Sequence, residues 1–162
     1  MTRLLVCGLL LAACSAGSPA PPPTSYGGRC SSHDGLPDPV CTPGETDPRV
    51  TQKDLRATVC RRGWTASVRP PKEVTHRIKV EVTRAYGIGD VPFSQIELDH
   101  LVPLSLGGAS TVTNLWPELR TGGADAADKD VVEQRLQDEV CRGRISLRAA
   151  QRAIATNWRT AP

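Results

Sequence analysis

Apolar residues recur at three- and four-residue intervals in three stretches of this chain, and each stretch predicts an amphipathic helix. The first follows Pro70-Pro71 and stops at Gly87, the second runs over residues 125–141, and the third begins after Ser146, a candidate N-cap. The three apolar stripes are, in chain order, Val74, Ile78 and Val82; Val132, Leu136 and Val140; and Leu147, Ala150, Ile154 and Trp158.

Weaker patterns predict a short helix and a hairpin. The stretch from Thr51 to Asp54 approximates a capping box, which predicts a helix over residues 52–60. Residues 95–104 alternate imperfectly between apolar and polar and predict a strand; Gly107-Gly108 marks a turn, and residues 111–116 predict the returning strand. We therefore expect an α+β fold, with a two-stranded hairpin packed on helices and mostly helical structure elsewhere.

The N-terminus has the features of an export signal. Arg3 precedes an apolar run within residues 1–13, and Leu11-Ala12-Ala13-Cys14 is typical of a bacterial lipoprotein signal, in which Cys14 receives the lipid. A plain secretory signal is the alternative. Residues 14–29 are rich in Ser, Pro and Gly and predict a tether, which leaves residues 30–162 as one domain. No apolar run approaches the roughly 18 residues of a membrane span, so a polytopic membrane protein is excluded.

Four of the six cysteines remain if Cys7 is removed with the signal and Cys14 carries lipid. Export to an oxidising compartment predicts two disulfides, and four cysteines allow three pairings. We favour a short local bridge and a long one. The favoured pairs are Cys30 with Cys41 and Cys60 with Cys141. A zinc site is the weaker alternative, because the chain has no C-x-x-C pair.

Charge is unevenly distributed, which the net charge of +3 conceals. Residues 51–80 hold eight Lys or Arg and two acidic residues, whereas residues 90–139 hold ten acidic residues and three basic ones. Such blocks suit a protein that binds polyphosphate through its basic segments and a metal among its carboxylates. Ordinary solvated helix faces give the same composition.

The segment from Glu97 to Pro117 carries the residues with the clearest chemistry. Asp99 offers the carboxylate oxygens that Mg²⁺ prefers, and His100 offers an imidazole that can act as a base near neutral pH. Asn114 follows the glycine turn and is near enough in sequence to hold the loop after the histidine. Phosphodiester hydrolysis needs such a base and such a cation.

This segment resembles the HNH endonuclease family, whose ββα-metal (His-Me finger) site has an Asp-His pair on the first strand, a glycine loop, an Asn-Leu pair on the return strand and a helix. The resemblance extends over roughly residues 41–159 and rests on several motifs in order. They are Cys60, Gly63-Trp64, Arg69-Pro70-Pro71, Tyr86-Gly87, Asp99-His100, Asn114 to Glu118, Lys129-Asp130, Val140-Cys141, Ala150-Gln151 and Trp158.

The resemblance implies roles for individual residues. Asp99 would be a metal ligand, His100 the general base, and Asn114 the residue that orients His100. The family often has a further ligand shortly before the Lys-Asp pair; here Ala127 has no ligating atom, so Asp125 is the expected second ligand. The expected ion is Mg²⁺, with Mn²⁺ or Zn²⁺ as alternatives.

The function implied is a metal-dependent endonuclease that cleaves DNA with little sequence specificity. We expect the phosphate backbone to be bound by Arg61, Arg62, Arg69 and Lys129. The expected enzyme is a monomer on the outer face of the bacterial cell membrane, held there only by the lipid on Cys14, or else secreted. The alternative is a catalytically degenerate lipoprotein of the same fold that binds nucleic acid or the cell envelope.

Overall fold

The computed structural model of the chain describes residues 29–120 and 126–162. These ranges contain a two-stranded sheet, four α-helices and three short 3₁₀ turns. The strands are β1 (Ile96–His100) and β2 (Leu115–Leu119); the helices are α1 (Trp64–Val68), α2 (Lys72–Ala85), α3 (Ala126–Cys141) and α4 (Leu147–Asn157). The architecture is therefore α+β, as the periodicity predicts.

The two strands pair antiparallel, and their register decides which side chains share a face. Glu97 lies opposite Glu118, and Asp99 lies opposite Trp116. Because successive side chains of a strand point to opposite faces, these four residues lie on one face and His100 on the other. The hairpin thus separates the Asp99 carboxylate from the His100 imidazole, although the two residues are neighbours in sequence.

Helices α2 and α4 form where their local signals place them. Gly87 adopts a left-handed conformation (φ 68°) just after α2, as expected of a residue past a helix C-terminus. The Ser146 side chain accepts a hydrogen bond from the Ala149 amide and so caps α4. The predicted buried face of α4 is confirmed: Leu147, Ala150, Ile154 and Trp158 all lie in the core.

Three of the predicted elements differ in the structure, one helix and both strands. Residues 52–60 form successive turns and no α-helix. Their amides bond backward over three, four or five residues, and the Cys60 amide reaches the Leu55 carbonyl, so no regular ladder develops. Strand β1 (Ile96–His100) is shorter than the predicted 95–104, and β2 begins at Leu115 instead of 111.

Tryptophans fill part of the core. Trp116 and Trp158 are buried, and Trp64 is partly buried against the core cluster. Each indole N–H has a hydrogen-bond acceptor: Asp99 for Trp116, the Gly35 carbonyl for Trp158 and the Leu104 carbonyl for Trp64. Buried indoles of this kind orient the segments that they bond.

Both predicted disulfides are present. Cys30 bonds Cys41 across 11 residues, and Cys60 bonds Cys141 across 81 residues. The longer bridge joins the turns before α1 to the last residue of α3. Disulfides persist in oxidising compartments, so the chain belongs in an extracellular or exported setting.

The predicted signal, Cys14 with its predicted lipid, and nearly all of the predicted tether lie outside the described residues. Among the helices of residues 29–120 and 126–162, none has the length and apolarity to cross a bilayer.

The two bridges are expected to contribute unequally to stability, because a longer closed loop removes more entropy from the unfolded chain. The double substitution Cys60→Ala/Cys141→Ala should lower the free energy of unfolding by about 4 kcal/mol. The matched Cys30→Ala/Cys41→Ala pair should lower it by about 3 kcal/mol. Urea denaturation of the three proteins without reductant measures both values; a larger loss for the short bridge would contradict the entropic account.

Candidate active site

Asp99 is held by two donors on the inner face of the hairpin. Its Oδ2 atom accepts a hydrogen bond from Trp116 Nε1 at 3.0 Å and lies 2.8 Å from Lys129 Nζ of α3. The side chain is 15% exposed. The strand register brings the indole beside the carboxylate, and the first turn of α3 brings the ammonium. Asp99 is therefore the acceptor that joins β1, β2 and α3.

Lys129 is buried, with 1% of its side chain exposed. Besides Asp99, Nζ donates to the His100 carbonyl at 2.8 Å and to Glu133 Oε1 at 2.5 Å, one helical turn further along α3. A lysine ammonium has three N–H donors, and all three are used. Burial alone would lower the pKa of Lys129, but the Asp99 and Glu133 carboxylates raise it, so the ammonium stays charged. The prediction that Lys129 binds the DNA backbone is wrong, because no donor is left for a phosphate.

Two further carboxyl groups lie near this ion pair, and sequence reasoning missed both. Glu118 is 2% exposed, and neither oxygen has a hydrogen-bond partner. Burial raises its pKa to about 8, and the Asp99 charge adds to the effect. Burial also raises the pKa of Glu133 to about 7, although Lys129 opposes it. The hairpin and α3 thus enclose more carboxyl groups than one ammonium neutralises.

His100 ends β1 and faces away from this carboxyl cluster. Its side chain is 8% exposed, and Nε2 lies 2.9 Å from Ser110 Oγ in the loop between the strands. Burial lowers its pKa to about 4; Asp99 opposes the shift, whereas Arg69 and Lys129 add to it. The imidazole is therefore neutral near pH 7 and has a nitrogen that can accept a proton.

Asn114 holds the loop after His100 and makes no hydrogen bond with the ring. Its amide bonds the Val102 amide and carbonyl and the Ala109 carbonyl at 2.8–2.9 Å, and it is fully buried. Gly108 permits this closure, because a Cβ there would lie 1.7 Å from the Val102 carbonyl oxygen. Asn114 thus acts on the backbone that carries His100 and Ser110.

The three arginines expected to bind DNA are exposed. Arg61 lies over the Trp64 ring, 5.7 Å from its centroid, and Arg61 and Arg62 line a groove of about 600 Å³ between the turns before α1 and helix α3. The positive charge of Arg69 lowers the pKa of His100. Glu97 is partly exposed and pairs with Arg120 at 3.1 Å.

The described residues hold no complete set of protein ligands for a divalent metal ion at Asp99. Mg²⁺ takes several oxygen ligands in octahedral geometry. The Asp99 Oδ2 atom is taken by Trp116 and Lys129, and Asp125, the expected second ligand, lies outside the described residues. Within residues 29–120 and 126–162, no three His, Cys, Asp or Glu side chains are placed to share an ion.

The sequence held a signal for some of the missed residues. Lys129 and Glu133 have the i,i+4 spacing of a helix ion pair, although nothing local indicates their burial. Glu118 could not be found from the sequence, because its position depends on the pairing of the two strands. Ser110 lies just after the predicted glycine turn, and nothing in the sequence indicates that its hydroxyl contacts His100.

Comparison with known proteins identifies no relative: no family model, no curated protein and no solved structure matches this chain.

Glu118 should make the stability of the protein depend on pH. Its folded pKa is raised from an ordinary 4.5 to about 8, so its contribution to stability is full below about pH 4.5 and is lost as the pH rises through 8. Glu118→Gln should therefore leave stability at pH 5 nearly unchanged and raise it at pH 8.5. Urea denaturation at both pH values measures the difference. Glu73→Gln, at the exposed N-terminal turn of α2, should have the same small effect at both pH values, and an equal pH dependence of the two variants would contradict the assignment.

Proposed function

We propose that this chain is an exported nuclease of the HNH type, which hydrolyses phosphodiester bonds in DNA with His100 as the general base. The observation that carries the proposal is His100 itself: an imidazole kept neutral by burial, at the end of the first strand of a hairpin. The chain order of β1, a glycine loop, β2 and α3 supports it, since the resemblance implies this order. The disulfides support export; anchoring through a lipid on Cys14 belongs to the proposal.

In this reaction the protein's part is to move a proton and to hold the phosphate. The oxygen of a water molecule bonds to phosphorus while the bond to the leaving oxygen breaks. His100 takes the proton of that water, and the leaving oxygen takes a proton from solvent. Arg69 is exposed and its charge acts on His100, so we assign it to bind the phosphate, whose negative charge would raise the pKa of His100 and make it a stronger base.

A second candidate function is DNA binding without cleavage. The observation that favours it is the enclosure of His100, whose Nε2 atom is bonded to Ser110. A water that gives its proton to Nε2 has to displace that hydroxyl. The exposed arginines would then bind the DNA backbone with no chemical step.

Plasmid nicking by the purified, disulfide-bonded chain tests the proposal. The wild type should convert supercoiled to nicked DNA, and His100→Ala should reduce the rate by about 100-fold or more, the usual effect of losing a general base. His76→Ala is the matched control, because His76 is on the surface of α2, where it contacts Phe93; its rate should not change. The base must be unprotonated, so kcat/KM should fall as the pH falls through about 4.

Equal rates for the wild type and His100→Ala would contradict the assignment of the base. Binding of a labelled duplex with no nicking at any pH would favour the second candidate.

A further inference from the structure

We propose that Lys129 is the resident cation of this site: its ammonium holds the place at Asp99 that the sequence assigned to a divalent ion, and Asp99 is its counter-ion. The inference deepens the proposed function, on which its catalytic meaning rests. Its test measures metal binding as well as cleavage, so the two can fail separately.

The first step of the argument is the saturation of the ammonium. Its three N–H groups donate to Asp99 Oδ2, Glu133 Oε1 and the His100 carbonyl, and these acceptors come from both β1 and α3. An exposed lysine rarely holds a fixed position, because ordering its side chain costs entropy. Here burial and three acceptors fix the charge in one place.

The second step concerns the carboxylate. Asp99 Oδ2 accepts from Trp116 as well as from Lys129, so one oxygen serves two donors. A divalent ion at Asp99 would stand within a few ångströms of a buried ammonium, where like charges repel strongly because little water screens them. The ion would have to expel Lys129, which would leave Glu133 without its partner.

The third step is the arrangement of the remaining charges. The positive charge of Lys129 lies among Asp99, Glu133 and the unpartnered Glu118. Removing the ammonium alone leaves the Asp99 carboxylate without its counter-ion, whereas Glu118 and Glu133, whose pKa values burial raises to about 8 and about 7, can take up protons. Since a buried charge needs a partner, a cation from solvent would then be bound there.

Manganese titration of the purified, disulfide-bonded protein tests the inference, with the free ion followed by electron paramagnetic resonance. The wild type and Asp99→Asn should bind Mn²⁺ equally weakly, with no site stronger than about 1 mM. Lys129→Met should gain one Mn²⁺ per chain, at least about tenfold tighter than anything in the wild type, and Lys129→Met/Asp99→Asn should lose it.

One Mn²⁺ per wild-type chain that is lost in Asp99→Asn would overturn the inference. So would a folded Lys129→Met protein, checked by circular dichroism, that gains no site. If Lys129→Met fails to fold, the comparison of wild type with Asp99→Asn still decides. If the wild type nicks plasmid, the nicking rate should be the same with and without EDTA. If the wild type neither nicks DNA nor binds Mn²⁺, the proposed nuclease function is wrong, whereas the proposed role of Lys129 is supported.

Discussion

The Lys129 ammonium lies between a strand and a helix, in a place where an unpaired charge would cost several kcal/mol. Its position therefore constrains everything around it. Asp99 has to face α3, the His100 carbonyl has to point the same way, and Glu133 has to follow one turn later on the helix. The position of α3 against the hairpin therefore depends on these polar contacts. A shift of the helix along β1 would break them.

This constraint divides the hairpin into two chemical environments. On one face the carboxyl groups and the ammonium are enclosed together, and on the other His100 is neutral and bonded to Ser110. Strand β1 carries both Asp99 and His100, so the contacts of Asp99 on one face also fix the backbone that carries His100. Asn114 completes the arrangement from the loop, where its amide bonds the backbone and leaves the ring to Ser110.

Local signals in the sequence predicted the parts of the fold that are determined locally. Ser146 and the stripe after it define α4, because the cap and the buried face lie within a dozen residues. Residues 52–60 carry a capping pattern as well, but the chain there also has to bring Cys60 to Cys141, and it forms irregular turns. That requirement comes from a residue far away in sequence, which no local pattern records.

The site was predictable to a similar extent. The adjacency of Asp99 and His100 is visible in the sequence, and alternation places them on opposite faces. The burial of Lys129 is not visible, because its acceptors on β1 lie about thirty residues earlier and a helix lysine is ordinarily solvated. The position of Glu118 opposite Glu97 follows from the strand register. The predicted return strand began four residues too early, so this pairing could not be predicted.

The bridge from Cys60 to the end of α3 links the site to the compartment in which the chain resides. The helix that carries Lys129 is covalently held at its last residue only where thiols are oxidised. In the reducing cytoplasm the same chain would lack this bond, and a small domain has little stability to spare. The fold is therefore least stable in a reducing compartment and reaches its full stability only once both thiols are oxidised.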